Sequence, residues 1–268
     1  MFLIRGTPRI IGILLLCIAF YCFSSSCFSG EVNQHKMIMC VDHYPPLQVI
    51  KPDQSVTGEN VELTKEFVER MGFQLTFTDN TPFKRCLHLL KYGLVDIMAG
   101  LTDSSERREK FHMLLFDESM LKAFFIHKGS HAIDSFADLA GLSIASLRGA
   151  RHFKKFDEAN ESYFAKVEVN TLESAFRMLA RERVDAVITT DYYGDYLLKH
   201  NKELSDKIIK AKYAYSDKTH TYIAISKKSR FAKQIIQFEQ VSKEMFDSGK
   251  FKQLIFEFRK KHPQYYYK

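Results

Sequence analysis

The chain has 268 residues, of which 46% are apolar and 26% are charged, and its formal net charge is +7 at pH 7. This length predicts one large domain or two modest ones, and the composition excludes a disordered chain, a collagen-like fibre and a polytopic membrane protein. Because the positive charges form no long basic run, they indicate a basic surface, and no nucleic-acid partner is expected.

The N-terminus has the pattern of a cleaved secretory signal peptide over residues 1–29. Two arginines precede an apolar run at 10–20, which is shorter than the roughly 20 apolar residues of a membrane-spanning helix. Cleavage after Ser29 predicts a mature protein in the periplasm. A lipoprotein anchored through Cys27 is the alternative, and it ranks second because Ser24 stands where a lipobox has leucine.

Removal of this leader leaves two cysteines, Cys40 and Cys86. Export places them in an oxidising compartment, where an even number of thiols favours a disulfide. The alternative is two separate buried cysteines that act as small apolar residues. A single pair fits neither a metal site nor a redox Cys-x-x-Cys motif, and no metal or cofactor is expected.

The first half of the mature chain alternates strands and helices. The predicted elements are strands at 36–41, 73–78 and 95–100 and helices from Glu59 to Gly72 and from Pro82 to Gly93. Such alternation favours a parallel sheet that is covered on both faces.

The second half repeats the pattern. It has predicted strands at 124–127, 142–147, 184–188 and 222–226, and predicted helices at 134–139, 172–180, from Asp191, and at about 229–247 and 250–261. A turn with Val-Asp leads into a strand at Gly93–Ile97 and again at Arg183–Val187. This recurrence predicts two half-related α/β lobes.

Six short motifs occur in one order along the chain. They are Tyr44-Pro45-Pro46-Leu47, Gly58-Glu59-Asn60-Val61-Glu62-Leu63, Gly93-Leu94-Val95-Asp96, Gly100-Leu101-Thr102 followed by Glu106-Arg107-Arg108, Asp138-Leu139-Ala140-Gly141, and Leu147-Arg148-Gly149. In order and spacing they resemble the family 3 extracellular solute-binding proteins, the polar amino-acid receptors of ABC importers. The resemblance covers roughly residues 36–262.

This resemblance implies the two-lobed type II periplasmic-binding-protein fold, with the ligand in a cleft between lobes that two crossover hinge segments join. Lobe 1 is expected at 31–124 plus 222–268 and lobe 2 at 125–221. The expected function is capture of a small carboxylate-bearing solute, an amino acid above all, by a monomer that delivers it to an ABC permease in the inner membrane.

Two other functions stay open because a fold does not fix a function. An exported enzyme, such as a dehydratase of cyclic acids, would need a general acid or base in the cleft, for which Asp191 or His43 are the candidates. A sensory module would present its ligand-bound state to a separate receptor.

Arg107 is the residue expected to bind the carboxylate of the ligand. This residue lies five positions after Thr102, so one short turn could aim a hydroxyl and a guanidinium at one anion, and the guanidinium fork matches a carboxylate. By resemblance, Arg107 and Thr102 hold the α-carboxylate and the backbone of Gly100 accepts from an amine. The alternative for Arg107 is a solvated charge in a charged run.

Two aromatic residues complete the expected site. By resemblance, Tyr44 closes over the ligand and Phe83 forms a wall of the cleft. The alternative for Phe83 is core packing, because it shares a helix face with Cys86 and Leu87.

Two departures from the family pattern concern the second lobe. The loop Gly149-Ala150-Arg151 stands where the family has Gly-Thr-Thr, so backbone N–H groups and Arg151 would bind an anion there. The acid that binds an amine in the family is displaced by one position, to Asp191. Either a bulge returns Asp191 to the cleft, or it caps the following helix.

Overall fold

The computed structural model describes residues 35–118, 120–216 and 220–266. The predicted signal peptide at 1–29, with the alternative anchor Cys27, lies outside the described residues. Within the described ranges, no helix is long and apolar enough to cross a membrane.

Short strands and helices follow one another along the described chain. The strands are β1 (Lys36–Met39), β2 (Val49–Ile50), β3 (Val56–Thr57), β4 (Gln74–Phe77), β5 (Ile97–Thr102), β6 (Phe111–Glu118), β7 (Lys122–His127), β8 (Ser143–Leu147), β9 (Ala165–Val169), β10 (Ala186–Thr190), β11 (Ile208–Tyr215) and β12 (His220–Ser226). The helices are α1 (Glu59–Arg70), α2 (Phe83–Tyr92), α3 (Ser105–Lys110), α4 (Lys154–Asp157), α5 (Leu172–Leu179), α6 (Asp191–His200), α7 (Lys202–Lys207), α8 (Ile235–Asp247) and α9 (Lys250–Lys261). Short 3₁₀ helices lie at Phe136–Leu139, Arg230–Gln234 and Pro263–Tyr265.

The first of two five-stranded sheets has the strand order β4-β1-β5-β12-β6. β1 and β5 are parallel, with Met39 opposite Ile97, whereas β12 is antiparallel to both β5 and β6. The helical spacing in α1 brings Leu63 and Phe67 onto one face, and this face packs on the sheet. α8 adds Phe238 to the same core.

The second sheet has the strand order β11-β7-β10-β8-β9. β8, β9 and β10 are parallel, and β7 is antiparallel to β10 and β11. The neighbours Phe124 and Phe125 on β7 are both fully buried but belong to different apolar clusters, one on each face of the sheet. This is expected of a strand whose two faces are both covered, since successive side chains point to opposite sides.

The chain passes from the first sheet to the second and back again. It leaves the first sheet after Glu118 and enters the second at Lys122, and it returns between Tyr215 and His220. The α/β class with two sheets is therefore confirmed. The lobe boundaries at 124/125 and 221/222 stay a prediction, and the chain changes sheet a few residues before each of them.

The predicted parallel sheet is wrong in part, because both sheets are mixed. The sequence also failed to indicate β6, β9 and β11 as strands, and all three lie at sheet edges. An edge strand has a neighbour on one side only and accepts charged residues, as β9 does with Lys166 and Glu168 and β11 does with Lys210 and Lys212. β9 and β11 therefore lack the apolar run by which a central strand is recognised, whereas β6 has an apolar run at 113–116 and was not predicted either.

The predicted disulfide between Cys40 and Cys86 is present. Cys40 follows β1 directly and Cys86 lies in the first turn of α2, with the two Cα atoms 5.5 Å apart. Both residues are fully buried in a cluster with Leu90 and Met98. The bridge fixes α2 to the end of the first strand, and Phe83 begins this helix.

Candidate functional site

A cavity of about 90 Å³ lies where strand ends of the two sheets face each other. The first sheet contributes the ends of β5 and β12, and the second contributes the ends of β7, β8 and β10. Ligands of open α/β sheets bind beyond such strand ends. Of the seven predicted ligand residues, those that line this cavity are Tyr44, Phe83, Gly100, Thr102, Arg107 and Arg151.

Arg107 lines the cavity from α3, whose N-cap Ser104 accepts a hydrogen bond from the Arg107 N–H. Its guanidinium donates through Nη1 to the Thr102 carbonyl at 2.5 Å and through Nη2 to the Gly149 carbonyl at 3.2 Å. The residue is only 6% exposed, so the alternative of a solvated charge is wrong. Burial lowers its pKa to about 10, and it therefore remains charged at neutral pH.

The ring of Phe83 forms one wall beside this guanidinium, whose central carbon lies 5.9 Å from the ring centroid. Phe83 also packs against apolar clusters on both sides of the cavity. The two expectations for this residue, cavity wall and core packing, therefore describe the same position.

The end of β5 carries two of the predicted residues, Gly100 and Thr102. Gly100 has a φ of 79°, and a Cβ there would lie 2.4 Å from Nδ2 of Asn60, so only glycine fits. The Thr102 hydroxyl donates to the Arg151 carbonyl at 3.3 Å. The Arg151 guanidinium turns outward to Glu106 at 3.0 Å, and this ion pair is half exposed.

Tyr44 links the loop after β1 to the end of β10. Its hydroxyl lies 3.0 Å from Oγ1 of Thr189 and 2.7 Å from Oγ1 of Thr190. Its ring stacks on Tyr193 with 4.6 Å between centroids. Tyr44, like Arg107, therefore holds elements of the two sheets together over the cavity.

Asp191 does not line the cavity, in contrast to the six other residues. It is the first residue of α6, its N–H donates to the Leu121 carbonyl at 3.1 Å, and Thr190 is the N-cap in its place. Partial burial raises the pKa of its carboxyl, and the N–H of Tyr192 and the charge of Lys210 lower it. The bulge that would return Asp191 to the cleft is absent, because β10 pairs with β7 in regular register through Thr190.

We expect Asp191→Asn to leave the affinity for a bound amino acid within about twofold of the wild-type value. Asparagine keeps an acceptor for the first turn of α6, and no cavity-lining charge is removed. Isothermal titration calorimetry of the two proteins tests this. A loss of more than tenfold for an amino acid, but not for the same acid without its amine, would return Asp191 to the site.

His152 is a cavity residue that the sequence did not indicate. It is 7% exposed, and neither ring nitrogen has a hydrogen-bond partner among the described residues. The ring packs edge-on against Phe156 at 5.2 Å. Burial, then the positive charges of Lys122 and Arg107, hold its pKa well below the usual range, so the imidazole is neutral.

Among the described residues, Asp42 is the carboxylic acid that lines the cavity, and it also lines a neighbouring cavity of about 160 Å³. Glu173 faces this neighbouring cavity and accepts a hydrogen bond from the Tyr193 hydroxyl at 2.8 Å. Burial, and then the charge of Glu173, raise the pKa of Asp42 to about 7. His43, one of the acid–base candidates, lines only the neighbouring cavity, where its Nδ1 accepts from the Ile50 N–H.

Comparison with known proteins gives consistent matches. The family model of the bacterial extracellular solute-binding proteins, family 3, matches residues 37–258. The arginine-binding extracellular protein ArtP of Bacillus subtilis (strain 168) is 26% identical over 235 residues, which is 86% of this chain and 88% of the relative.

Two solved structures have a similar fold. An ancestral arginine-binding protein bound to arginine has a TM-score of 0.68 at 20% identity, over 87% of this chain and 99% of the other. A histidine kinase sensor domain with similarity to periplasmic binding proteins has a TM-score of 0.69 at 22% identity, over 82% and 93%. The two-lobed type II fold expected from the sequence is thereby confirmed.

Proposed function

The chain belongs to family 3 of the bacterial extracellular solute-binding proteins, and we propose that it binds a small solute with a carboxylate, an amino acid or a related acid. The mature protein works as a periplasmic monomer without catalysis. It closes on its solute and delivers it to an ABC permease in the inner membrane. The name of ArtP, an arginine-binding protein, supports an amino acid as the class of ligand.

The observation that carries this proposal is the buried guanidinium of Arg107. Within the described parts of the chain, no carboxylate lies at ion-pair distance from it, and the groups that accept from it are backbone carbonyls. A buried cation without a counter-charge is costly. Arginine has five N–H donors, and those beyond the two given to carbonyls can receive a solute carboxylate at the cavity.

Contacts between the two sides of the cavity supply the closing mechanism. They join Tyr44 to Thr190, Arg107 to Gly149, and Arg151 to Glu106. A solute that touches both sides has more contacts in the closed state than in an open one, and it therefore shifts the population toward closure. The closed state is then the form that a permease recognises.

A thermal-shift screen of mature protein against amino acids and small carboxylates tests the proposal. A ligand at 100 times its dissociation constant stabilises by about 2.7 kcal/mol, which raises the melting temperature of a protein of this size by about 5–11 °C. The matched control is the methyl ester of the same compound, which lacks the carboxylate and should produce little shift. Absence of any stabilising carboxylate would contradict the proposal.

Two further readouts separate transport from the alternatives. The stabilising compound should be recovered unchanged after long incubation, and chemical conversion would indicate an enzyme instead. Deletion of the gene should abolish uptake of this compound by the source bacterium, with restoration by the wild-type gene. Unaltered uptake would contradict delivery to a permease.

A further inference from the structure

The segment that follows α9 contacts both halves of the molecule. α9 packs on the first sheet through Phe251, whereas α6 packs on the second sheet through Leu197. Residues 262–266 continue from α9 and reach α6, and we call them the strap. The strap therefore joins the two halves at a place separate from the two crossings of the chain between the sheets.

The contacts of the strap lie on one face of α6, at Tyr192, Tyr196 and Lys199. The ring of Tyr266 meets the ring of Tyr192 edge-on, with 5.8 Å between centroids. The ring of Tyr265 lies 6.1 Å from that of Tyr196, and Nζ of Lys199 donates to the Gln264 carbonyl at 2.8 Å. Because the three positions on α6 are spaced by four and three residues, the strap follows one face of this helix.

A buried carboxylate, that of Glu59 at the start of α1, fixes the strap to the first half of the molecule. Glu59 is 1% exposed, and it accepts from the Tyr266 hydroxyl and, at 2.6 Å, from Nε of Arg259. The guanidinium carbon of Arg259 lies 4.8 Å from the ring centroid of Tyr192, within cation–π distance. The pair of Glu59 and Arg259 therefore supports both the strap and the aromatic residue that the strap contacts.

The same end of α1 also fixes the loop that carries Tyr44. The N–H of Glu59 donates to the Pro46 carbonyl at 3.3 Å. The N–H of Asn60 donates to the Leu47 carbonyl at 3.0 Å, and Asn60 itself lines the cavity. The start of α1 is therefore the common support of Tyr44 on the cavity side and of the strap.

The short segment that joins β10 to α6 is consequently held from two sides. Tyr44 contacts it from the cavity, through Thr190 and Tyr193. The strap contacts it at Tyr192, which lies between these two residues in sequence. Both sets of contacts join the two halves in the closed arrangement, and both therefore stabilise this arrangement.

We propose that the strap, with Glu59 as its support, stabilises the closed state and thereby raises the affinity for the solute. The proposal rests on the closing motion of the proposed function. An opening that moves α6 away from α9 separates the aromatic pairs and the contact of Lys199 with the strap. Among the described residues that line the cavity, none belongs to the strap, so Tyr265 and Tyr266 are positioning residues that act through closure.

Small-angle X-ray scattering of the mature protein tests the proposal, without solute and with a mixture of the common L-amino acids as the probe. We expect Tyr266→Ala to lower the ratio of closed to open protein about threefold or more without the probe, because it removes the ring contact with Tyr192 and the bond to Glu59. The probe concentration at half closure should rise by the same factor. Tyr266→Phe keeps the ring contact, so its effect should be smaller.

A variant on α6 and a matched control identify the strap contacts as the cause. Tyr196→Ala leaves the strap itself unchanged and should shift the equilibrium in the same direction. Adding Tyr265→Ala to it should produce little further shift, because the two residues share one contact. Tyr92→Ala alters a half-exposed aromatic residue of α2 whose ring contacts His88 of the same helix, and this control should scatter like wild type.

The outcomes separate the proposal from the proposed function. Closure by amino acids with identical curves for wild type, Tyr266→Ala and Tyr196→Ala would overturn the proposal and leave the proposed function intact. A lower melting temperature without any change in scattering would assign the strap a structural role and overturn the proposal as well. A more open Tyr266→Ala protein without solute, in a protein that no amino acid closes, would support the strap and contradict an amino acid as the ligand. If Tyr266→Ala does not fold, Tyr196→Ala alone decides.

Discussion

Replacement of Arg107 by alanine is expected to weaken binding of the carboxylate solute by about 2–4 kcal/mol, or about 30- to 1,000-fold. The change removes a charge-assisted pair of hydrogen bonds and leaves the carboxylate of the solute buried without a cation. The residue is 6% exposed, so water cannot replace the lost contact at low cost. Calorimetry of the variant with the stabilising ligand measures the loss.

Two variants control this experiment. Arg107→Lys keeps the charge but not the fork, and it should regain only part of the affinity. Arg108→Ala alters the next arginine of the same helix, which is half exposed and pairs with Asp103 at 2.8 Å, and it should bind like wild type. Wild-type affinity in Arg107→Ala would remove this residue from the site.

Loss of the disulfide is expected to lower the free energy of unfolding by about 2–4 kcal/mol. Cys40 and Cys86 are 46 positions apart, so the bridge closes a long loop and removes much of the freedom of the unfolded chain. The double variant Cys40→Ala, Cys86→Ala should therefore unfold at a lower urea concentration than the oxidised wild type.

Reduced wild-type protein is the control for the alanine pair. It lacks the bridge but keeps both sulfur atoms in the core, so its difference from the double variant reports the packing loss alone. An unfolding midpoint that is the same in oxidised and reduced wild-type protein would contradict a stabilising role of the bridge.

The elements at the centre of the fold could be predicted from the sequence. The buried strands at Ile97–Thr102 and Ala186–Thr190 are nearly continuous apolar runs, and α1 keeps helical spacing on its core face. The edge strands β9 and β11 were not predicted because a strand with one neighbour carries polar residues, whereas β6 was not predicted although it contains an apolar run at 113–116. The mixture of parallel and antiparallel strands in each sheet was also not predicted, since local sequence patterns do not show the path of the chain between sheets.

Several site residues could be predicted from the sequence for a different reason. Tyr44, Gly100, Thr102 and Arg107 stand in motifs whose order along the chain carries the resemblance, and motifs at strand ends come together when sheets form. His152 has no such signal, because a single histidine in a polar loop gives no periodic pattern and its burial depends on residues distant in sequence. Of the two alternatives for Asp191, the cleft position is not supported, because β10 keeps a regular register through Thr190 and Asp191 is absent from the cavity lining.

The most direct test of a solute held between the two sides is a crystal structure of the mature protein with the best ligand from the screen. The account predicts the ligand in the cavity, with a carboxylate within hydrogen-bond distance of the Arg107 guanidinium and a contact to at least one group of the second sheet or its loops, such as Thr190 or His152. A ligand bound outside this cavity, or one whose carboxylate points away from Arg107, would contradict it.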